Sequence, residues 1–480
     1  MTQIIEWFII GYFFSINTVY LLLVIGALVY VRRQMLHSDI VKPASLFKSK
    51  IYKTISILVP AYNEADNIIE SIESLLRLEY PEYEIIVVND GSTDDTIDQL
   101  TRHFKLKKTE IFYEETIPHK DIRGIYKSED LPNFTVIDKE NGGKSDALNA
   151  GINVSDSDLI CSIDADSILE QDVLKKLIQT FIRHKHTIAA GGIVRVINGC
   201  KIKNREIEEV HVPDGFLGRL QSVEYLRAFL FGRVGWDYLN SLLIISGAFG
   251  IFDRKAVLEV GGYETDTVGE DIELIIRLHS HFQETKQSYN IGYLPEPICW
   301  TEVPVDYKSL KNQRNRWHRG LADSIWRHKY MLFNPKYGRI GLFVLPFFLI
   351  FELIGPIITI LSYLFVTLLL IIPGYSDPTF ITLFFVVSIL YGMIVSLISV
   401  LAEEIAYKTY SSTKDILILA AYSFIENLGY RQLHAFWQVS GIIDFIKGNK
   451  NWGDMKRKGF EVHPETNPAP GSGSGSGSNS

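Results

Sequence analysis

Leu159-Ile160-Cys161-Ser162-Ile163-Asp164-Ala165-Asp166 is a short β-branched run that stops on two acidic residues. It reads as a strand, and three similar runs precede it: Ile55 to Val59, Glu84 to Val88 and Thr135 to Asp138, with helical patterns such as Ala65 to Leu76 between them. Strands that alternate with amphipathic segments argue for an α/β domain built on a mainly parallel sheet. In such sheets ligands bind beyond the carboxyl ends of the strands, so the residues just after each strand matter most.

Polar residues gather at that rim. Val59-Pro60-Ala61-Tyr62-Asn63-Glu64 ends the first strand, Asn89-Asp90-Gly91-Ser92 the second and Asp164-Ala165-Asp166 the fourth. Each alone is an ordinary turn or helix N-cap. Jointly they read as a nucleotide site. Residues two apart on a strand point the same way, so Asp164 and Asp166 can face one hard divalent cation, which prefers oxygen ligands and bridges substrate phosphates. Lys139-Glu140-Asn141-Gly142-Gly143-Lys144-Ser145 looks like the end of a phosphate loop, but the first glycine of G-x-x-x-x-G-K-S would fall on Asp138. A nucleoside-triphosphatase reading fails on that spacing.

The 480 residues are 47% hydrophobic and 12% aromatic, which excludes disordered and collagen-like chains. Basic residues number 48 against 56 acidic, a net charge of −8, so the chain lacks the footprint of a nucleic-acid binder. Cys161, Cys200 and Cys299 form no C-x-x-C pair, which speaks against a disulfide framework or a structural zinc site. Cys161 reads as core.

Trp7 to Val31 is apolar and uncharged, long enough to span a hydrocarbon core of roughly 30 Å. Arg32 and Arg33 come next and, by the positive-inside rule, put the adjoining domain in the cytoplasm. Ile340 to Ile372 is interrupted at Gly355-Pro356 and predicts an interfacial helix followed by one crossing. Phe380 to Leu401 predicts a third crossing. Ile416 to Ile425 runs straight into Glu426, Asn427, Arg431, Gln432 and His434, which either line a polar cavity or lie at the interface. Gly471 to Ser480 is a Gly/Ser linker.

Taken as a set, the motifs resemble glycosyltransferase family 2, in particular its membrane-embedded processive branch of cellulose, chitin, hyaluronan and poly-N-acetylglucosamine synthases. The resemblance covers about residues 54 to 460. Pro60, Tyr62, Glu64 and Asp90 match the nucleotide-binding stretches, and Lys144 lies in the matching glycine-lysine segment. Asp164 and Asp166 match the metal motif, Ser246-Gly247-Ala248 the acceptor segment, Glu270-Asp271 the catalytic-base motif, and Gln313-Arg314-Asn315-Arg316-Trp317 the pattern Q-x-x-R-W. Trp452 to Arg457 is similar to a gating loop, with Trp452 and Arg457 as its contacts. The acceptor segment lacks a Phe-Phe-Cys start, and Gly269 stands where cellulose synthases have threonine before Glu270.

The resemblance implies a GT-A-like, Rossmann-like α/β glycosyltransferase domain on the cytoplasmic side, a transmembrane helical region and amphipathic interface helices. The domains would be 1–36 (first transmembrane helix), 52–305 (catalytic), 306–337 (acceptor and interface helix), 338–450 (transmembrane and interfacial helices), 451–465 (gating loop) and 466–480 (linker). It implies a multi-pass inner-membrane enzyme that uses Mg²⁺ or Mn²⁺ and a UDP-sugar donor, UDP-glucose or UDP-N-acetylglucosamine. Its acceptor would be a growing polysaccharide. Membrane lipid and a second subunit or copy are its other expected partners. Asp271, with Glu270 beside it, would be the base; Gln313 and Arg316 would assist the leaving diphosphate; Ser246, Gly247 and Trp317 would meet the acceptor.

Blander readings stand beside these. Glu270-Asp271 could cap a helix, Trp317 and Trp326 could anchor a helix at the headgroups, and Arg227, Arg233, Arg316 and Arg319 could meet anionic lipid. The stripe from Phe216 to Trp236 reads as a membrane-surface helix rather than a sugar cradle. Two other functions compete: transfer of one sugar to a lipid carrier, and a non-catalytic transporter or scaffold with a nucleotide-sensing domain.

Overall fold

The computed structural model describes residues 2–38, 52–165, 167–203, 206–372 and 377–449. Asp166, Trp452 and Arg457 lie outside the described residues. The strands are β1 Ile55–Ala61, β2 Tyr83–Asp90, β3 Leu106–Thr109, β4 Ile122–Ser128, β5 Phe134–Lys139, β6 Leu159–Ile163, β7 Ser167–Leu169, β8 Thr187–Val196, β9 Lys201–Lys203, β10 Glu206–Glu209, β11 Phe249–Asp253 and β12 Asn290–Thr301. Ten of them form one sheet in the order β3-β4-β5-β2-β1-β6-β11-β8-β12-β7, while β9 and β10 pair separately.

The four strands read from sequence are all present, and three of them sit side by side in parallel with β6 as the fourth. The mainly parallel expectation needs correction, however. β11 runs antiparallel between β6 and β8, β7 antiparallel to β12, and β3 to β5 form an antiparallel edge. Alternating elements announce strands and helices, but β11 returns to β6 from far along the chain, and no local pattern encodes its direction. The sheet is a mixed GT-A-like sheet.

Helices cover both faces. On one side lie α2 Ile68–Leu75, α3 Thr96–His103 and, further along the chain, Val173–Arg183; α4 Lys144–Val154 lies on the other. Helix α5 is that Val173–Arg183 segment, and its Val173, Leu174, Leu177 and Ile178 recur at helical spacing and are fully buried. Each such side chain contributes about 1.5–3 kcal/mol. β8 is buried along its whole length, as expected for a strand covered on both faces.

Helix α1, Thr2–Ser38, contributes Val24, Ala27 and Val31 to the core beneath the sheet. Its Thr2–Arg33 portion is long and apolar enough to cross a membrane. The Phe216-to-Trp236 stripe is not one surface helix. It breaks into α6 Phe216–Tyr225, a π-helical turn over Leu226–Gly232 and α7 Arg233–Tyr238, with Leu220, Val223, Tyr225 and Val234 buried. The stripe turns inward because its charged residues find partners inside the protein, Arg227 on Glu426 and Glu224 on Arg314.

After α8 Arg254–Glu259, α9 Glu270–Glu284 and α10 Tyr307–Arg327 come the helices of the apolar region. They are α11 Ile340–Leu353, α12 Gly355–Ile371 and α13 Pro378–Tyr407. α11 and α12 meet at a 42° bend, where Pro356 sits in the first turn of α12, and α13 is long and apolar enough to cross alone. α14 Thr413–Ile425 and α15 Arg431–Ile446 complete the described chain, separated by a kink at Leu428 and Gly429.

Candidate active site

A cavity of about 1250 Å³ opens beyond the carboxyl ends of β1, β2 and β6 and continues between the apolar helices as far as Tyr12, Tyr363 and Ser388. Pro60, Tyr62, Glu64, Asp90, Lys144, Asp164, Ser246, Gly247, Glu270, Asp271, Gln313, Arg316 and Trp317 all line it.

The loops after β1 and β2 are locked together. Asn63 Oδ1 accepts from Thr93 N–H at 2.8 Å, Asn63 N–H donates to Ser92 Oγ at 3.0 Å, and Glu64 N–H donates to Thr96 Oγ1 at 3.0 Å. Tyr62 projects from this lock half-exposed. Asp90 is buried, and its carboxylate accepts from Lys139 Nζ at 2.7 Å and from the Gly142 and Gly143 amides at 3.0 and 2.7 Å. Lys139 is itself fully buried and reaches Asp146 at 2.5 Å. A desolvated lysine needs that compensation. Asp90 therefore shapes the glycine loop from within the cavity wall. Gly91 permits the approach: its φ is +67°, and a Cβ there would sit 2.7 Å from the Asn141 nitrogen.

Lys144 opens α4 and joins three segments. Its Nζ donates to Asp164 Oδ1 at 2.5 Å and to the Gly247 carbonyl at 3.0 Å, and lies 3.5 Å from Glu270 Oε1. The Gly247 N–H donates to Asp271 Oδ2 at 3.1 Å. Burial works against the Lys144 ammonium, but Asp164 and Glu270 outweigh it and hold its pKa above the ordinary lysine value. Burial raises the Glu270 carboxyl despite Lys144 beside it. A partly exposed carboxylate at a strand end is a suitable ligand for a hard cation, and Asp164 offers one to the cavity.

Glu270 and Asp271 form the first turn of α9. They do open a helix, as the blander reading held, and they also face the cavity. Gly269, just before α9, packs against Gly320 of α10, and α10 carries Gln313, Arg316 and Trp317 to the same cavity. The two tryptophans differ: Trp326 is exposed with Lys329 3.9 Å from its ring, whereas Trp317 lines the cavity.

The arginines read as lipid contacts are inside. Arg227 donates to Glu426 at 3.3 Å, Arg319 to the Asn449 carbonyl at 2.8 Å, and Arg233 and Arg316 line the cavity. Of the two readings left open for the polar run after Ile425, the cavity is the one observed: Arg431, Gln432 and His434 line it, and Glu426 is buried against Arg227, Arg431 and Ser396. Sequence reasoning missed Glu224 and Arg314, which line the cavity as an ion pair of 2.8 Å. The available signal was a charge inside each otherwise patterned stretch.

Fold and site together define an enzyme that works on a nucleotide-activated sugar. The chain belongs to glycosyltransferase family 2 and is a glycosyltransferase associated with the membrane: the model of "Glycosyl transferase family 2" matches residues 56–261 and that of "Glycosyl transferase family group 2" residues 159–395. It is 30% identical over 334 residues to the poly-β-1,6-N-acetyl-D-glucosamine synthase of Staphylococcus epidermidis, covering 69% of this chain and 70% of that protein. Over 310 residues it is also 30% identical to the synthase of the same name from Staphylococcus aureus strain MSSA476, covering 64% of this chain and 63% of that one. Among solved structures, a mannosyltransferase from Pyrobaculum calidifontis in complex with GDP-mannose and Mn²⁺ aligns with 91% of this chain and all of its own, at 15% identity and a TM-score of 0.47.

Proposed function

We propose that this protein is an inverting, processive synthase that transfers N-acetylglucosamine from its UDP derivative to a growing β-linked chain and passes that chain through its own helices. The observation that carries the reading is the continuity of one cavity, from the carboxylates at the sheet rim to Tyr12 and Tyr363 among the apolar helices. The choice of sugar rests on the names of the Staphylococcus relatives.

In this reading the loops locked by Asn63 hold the uridine, with Tyr62 against the base. Asp164 and Asp166 would hold Mg²⁺ or Mn²⁺, which neutralises charge on the leaving diphosphate when bound. Gln313 and Arg316 donate to the same diphosphate. Asp271 takes the proton of the acceptor hydroxyl as that oxygen attacks the anomeric carbon from the face opposite the leaving group. An α-linked donor thereby gives a β-linked product. Trp317 stacks on the terminal sugar and turns an encounter into an oriented approach. The catalytic domain faces the cytoplasm, where the donor is made.

Purified protein in lipid nanodiscs, given a panel of UDP-sugars with Mg²⁺ or Mn²⁺, tests the proposal. UDP release with a polymer that a β-1,6-specific hydrolase degrades supports it. A single sugar on a lipid carrier would establish the non-processive alternative, and failure to release UDP from every donor would favour the transporter or scaffold.

A further inference from the structure

Inside the Q-x-x-R-W segment, Arg314 is almost fully buried and makes directed contacts with Trp317, Gln313 and Glu224. Its guanidinium carbon lies 4.2 Å from the centre of the Trp317 ring, one turn along α10. Its Nη1 donates to Gln313 Oε1 at 2.8 Å and its Nη2 donates to Glu224 Oε2 at 2.8 Å. Glu224, on α6, also accepts from Tyr430 Oη at 3.2 Å and lies 3.9 Å from His434 Nδ1. The carboxylate stays charged: burial opposes ionisation, but Arg314 together with His434 and Arg227 more than offsets it and lowers the pKa.

A guanidinium is planar, and its N–H groups form a rigid fork. Anchored through one arm to Glu224 and through the other to Gln313, it has little freedom to turn, and the indole stacked on it is steadied by a cation–π contact. Covering one face of Trp317 directs any sugar to the opposite face. Occupying the Gln313 carbonyl oxygen leaves the amide N–H₂ as the group that side chain can offer a ligand.

We propose that Arg314 is a positioning residue: it sets the plane of Trp317 on the acceptor side and the amide of Gln313 on the diphosphate side, and Glu224 ties that setting to Tyr430 and His434 at the start of the last helix. The inference rests on the reading above, in which Trp317 meets the terminal sugar. It adds a dependence of that contact on two further side chains of the cavity wall, Arg314 and Glu224.

Arg314→Lys tests it, because lysine keeps the charge and loses the planar fork. With the full chain in nanodiscs, the measurements are kcat and KM for the UDP-sugar, product length, the ratio of free sugar to polymer, and the thermal midpoint. The expected result is a donor KM within about twofold of the unaltered protein, elongation kcat lower by about tenfold or more, shorter chains and more free sugar from donor lost to water. Glu224→Gln retains an acceptor without the charge and should shift the same quantities in the same direction by less. Normal kcat and chain length in Arg314→Lys overturn the inference. So does a purely thermal effect in both variants, with normal activity per folded molecule. If the unaltered protein makes no polymer, the parent reading fails first, and this one fails with it.

Discussion

Gly269 and Gly320 touch backbone to backbone: a methyl group on Gly320 would sit 2.8 Å from the Gly269 Cα, and one on Gly269 would sit 2.7 Å from the Gly320 Cα. This contact sets the Glu270-Asp271 turn against the helix that carries Gln313, Arg316 and Trp317. Gly320→Ala should force α9 and α10 apart, lowering stability by about 1–3 kcal/mol. It should also depress transfer more than donor binding. Thermal unfolding and UDP-sugar titration on one preparation check both effects, and unchanged turnover would show that the spacing is not critical.

Asp271→Asn should preserve donor affinity and lose transfer by roughly 10²-fold or more, the usual contribution of a general base. Steady-state rates beside isothermal titration of UDP decide the point. Near-normal turnover with lost nucleotide binding would move Asp271 to the donor side.

Removing divalent cations with a chelator should stop UDP release, and adding Mg²⁺ or Mn²⁺ should restore it. Asp164→Asn and Asp166→Asn should each raise the metal concentration needed for half-maximal activity, because each removes a charged oxygen ligand. Wild-type metal dependence in either variant would remove that residue from the proposed ligand set.

Trp317→Ala should cut polymer yield severely while leaving UDP-sugar affinity nearly intact, since Tyr62, Asp164 and Arg316 remain on the donor side. Polymer yield per folded molecule is the measurement. A normal yield with a lower thermal midpoint would make Trp317 an anchor only.

Burial pushes the Asp237 carboxyl from 3.8 up to about 7. Between those values the folded chain holds a proton that the unfolded chain has released, so stability falls as pH rises from about 4 to about 7. Above the folded value the loss is complete, at most on the order of 4 kcal/mol for a shift of this size. Asp237→Asn should remove that slope. Thermal midpoints at pH 5 and pH 8 measure it, and an unchanged slope would refute the assignment.

How legible the site was depended on how local each part is. β6 and Asp164 share one short run and were read from it, while Glu270-Asp271 and Q-x-x-R-W each fit within a helical turn or two, short enough for the family resemblance to single them out. The pairing of Glu224 was hidden because its partners Arg314 and Tyr430 lie 90 and 206 residues away in sequence, even though a charge inside an apolar stretch marks the position. Nothing near Phe249–Asp253 says that this strand slots antiparallel beside β6. The Phe216-to-Trp236 stripe misled for a similar reason: hydrophobic spacing describes what a helix buries, and the partner could have been lipid or protein.

The bend between α11 and α12 also bears on parity. α1 and α13 both reach the sheet at one end, through Val24, Ala27 and Val31 and through Val395 and Ala402. Further from the sheet, Phe13 of α1 meets Phe380 and Phe384 of α13, together with Val366 and Leu369 of α12. α11 begins beside Ile272 and Ile276 of α9. Between them, α11 and α12 therefore connect the sheet side to the far side, bend included. With α14 and α15, which are not among the candidate spans, left out of the count, one crossing there makes the total odd and places Gln3 and Lys447 on opposite faces of the bilayer. Counted as a stop, the α11–α12 pair makes it even and places both on one face. Single cysteines at these two positions, probed with a reagent that cannot cross the membrane, would distinguish the counts without reference to catalysis.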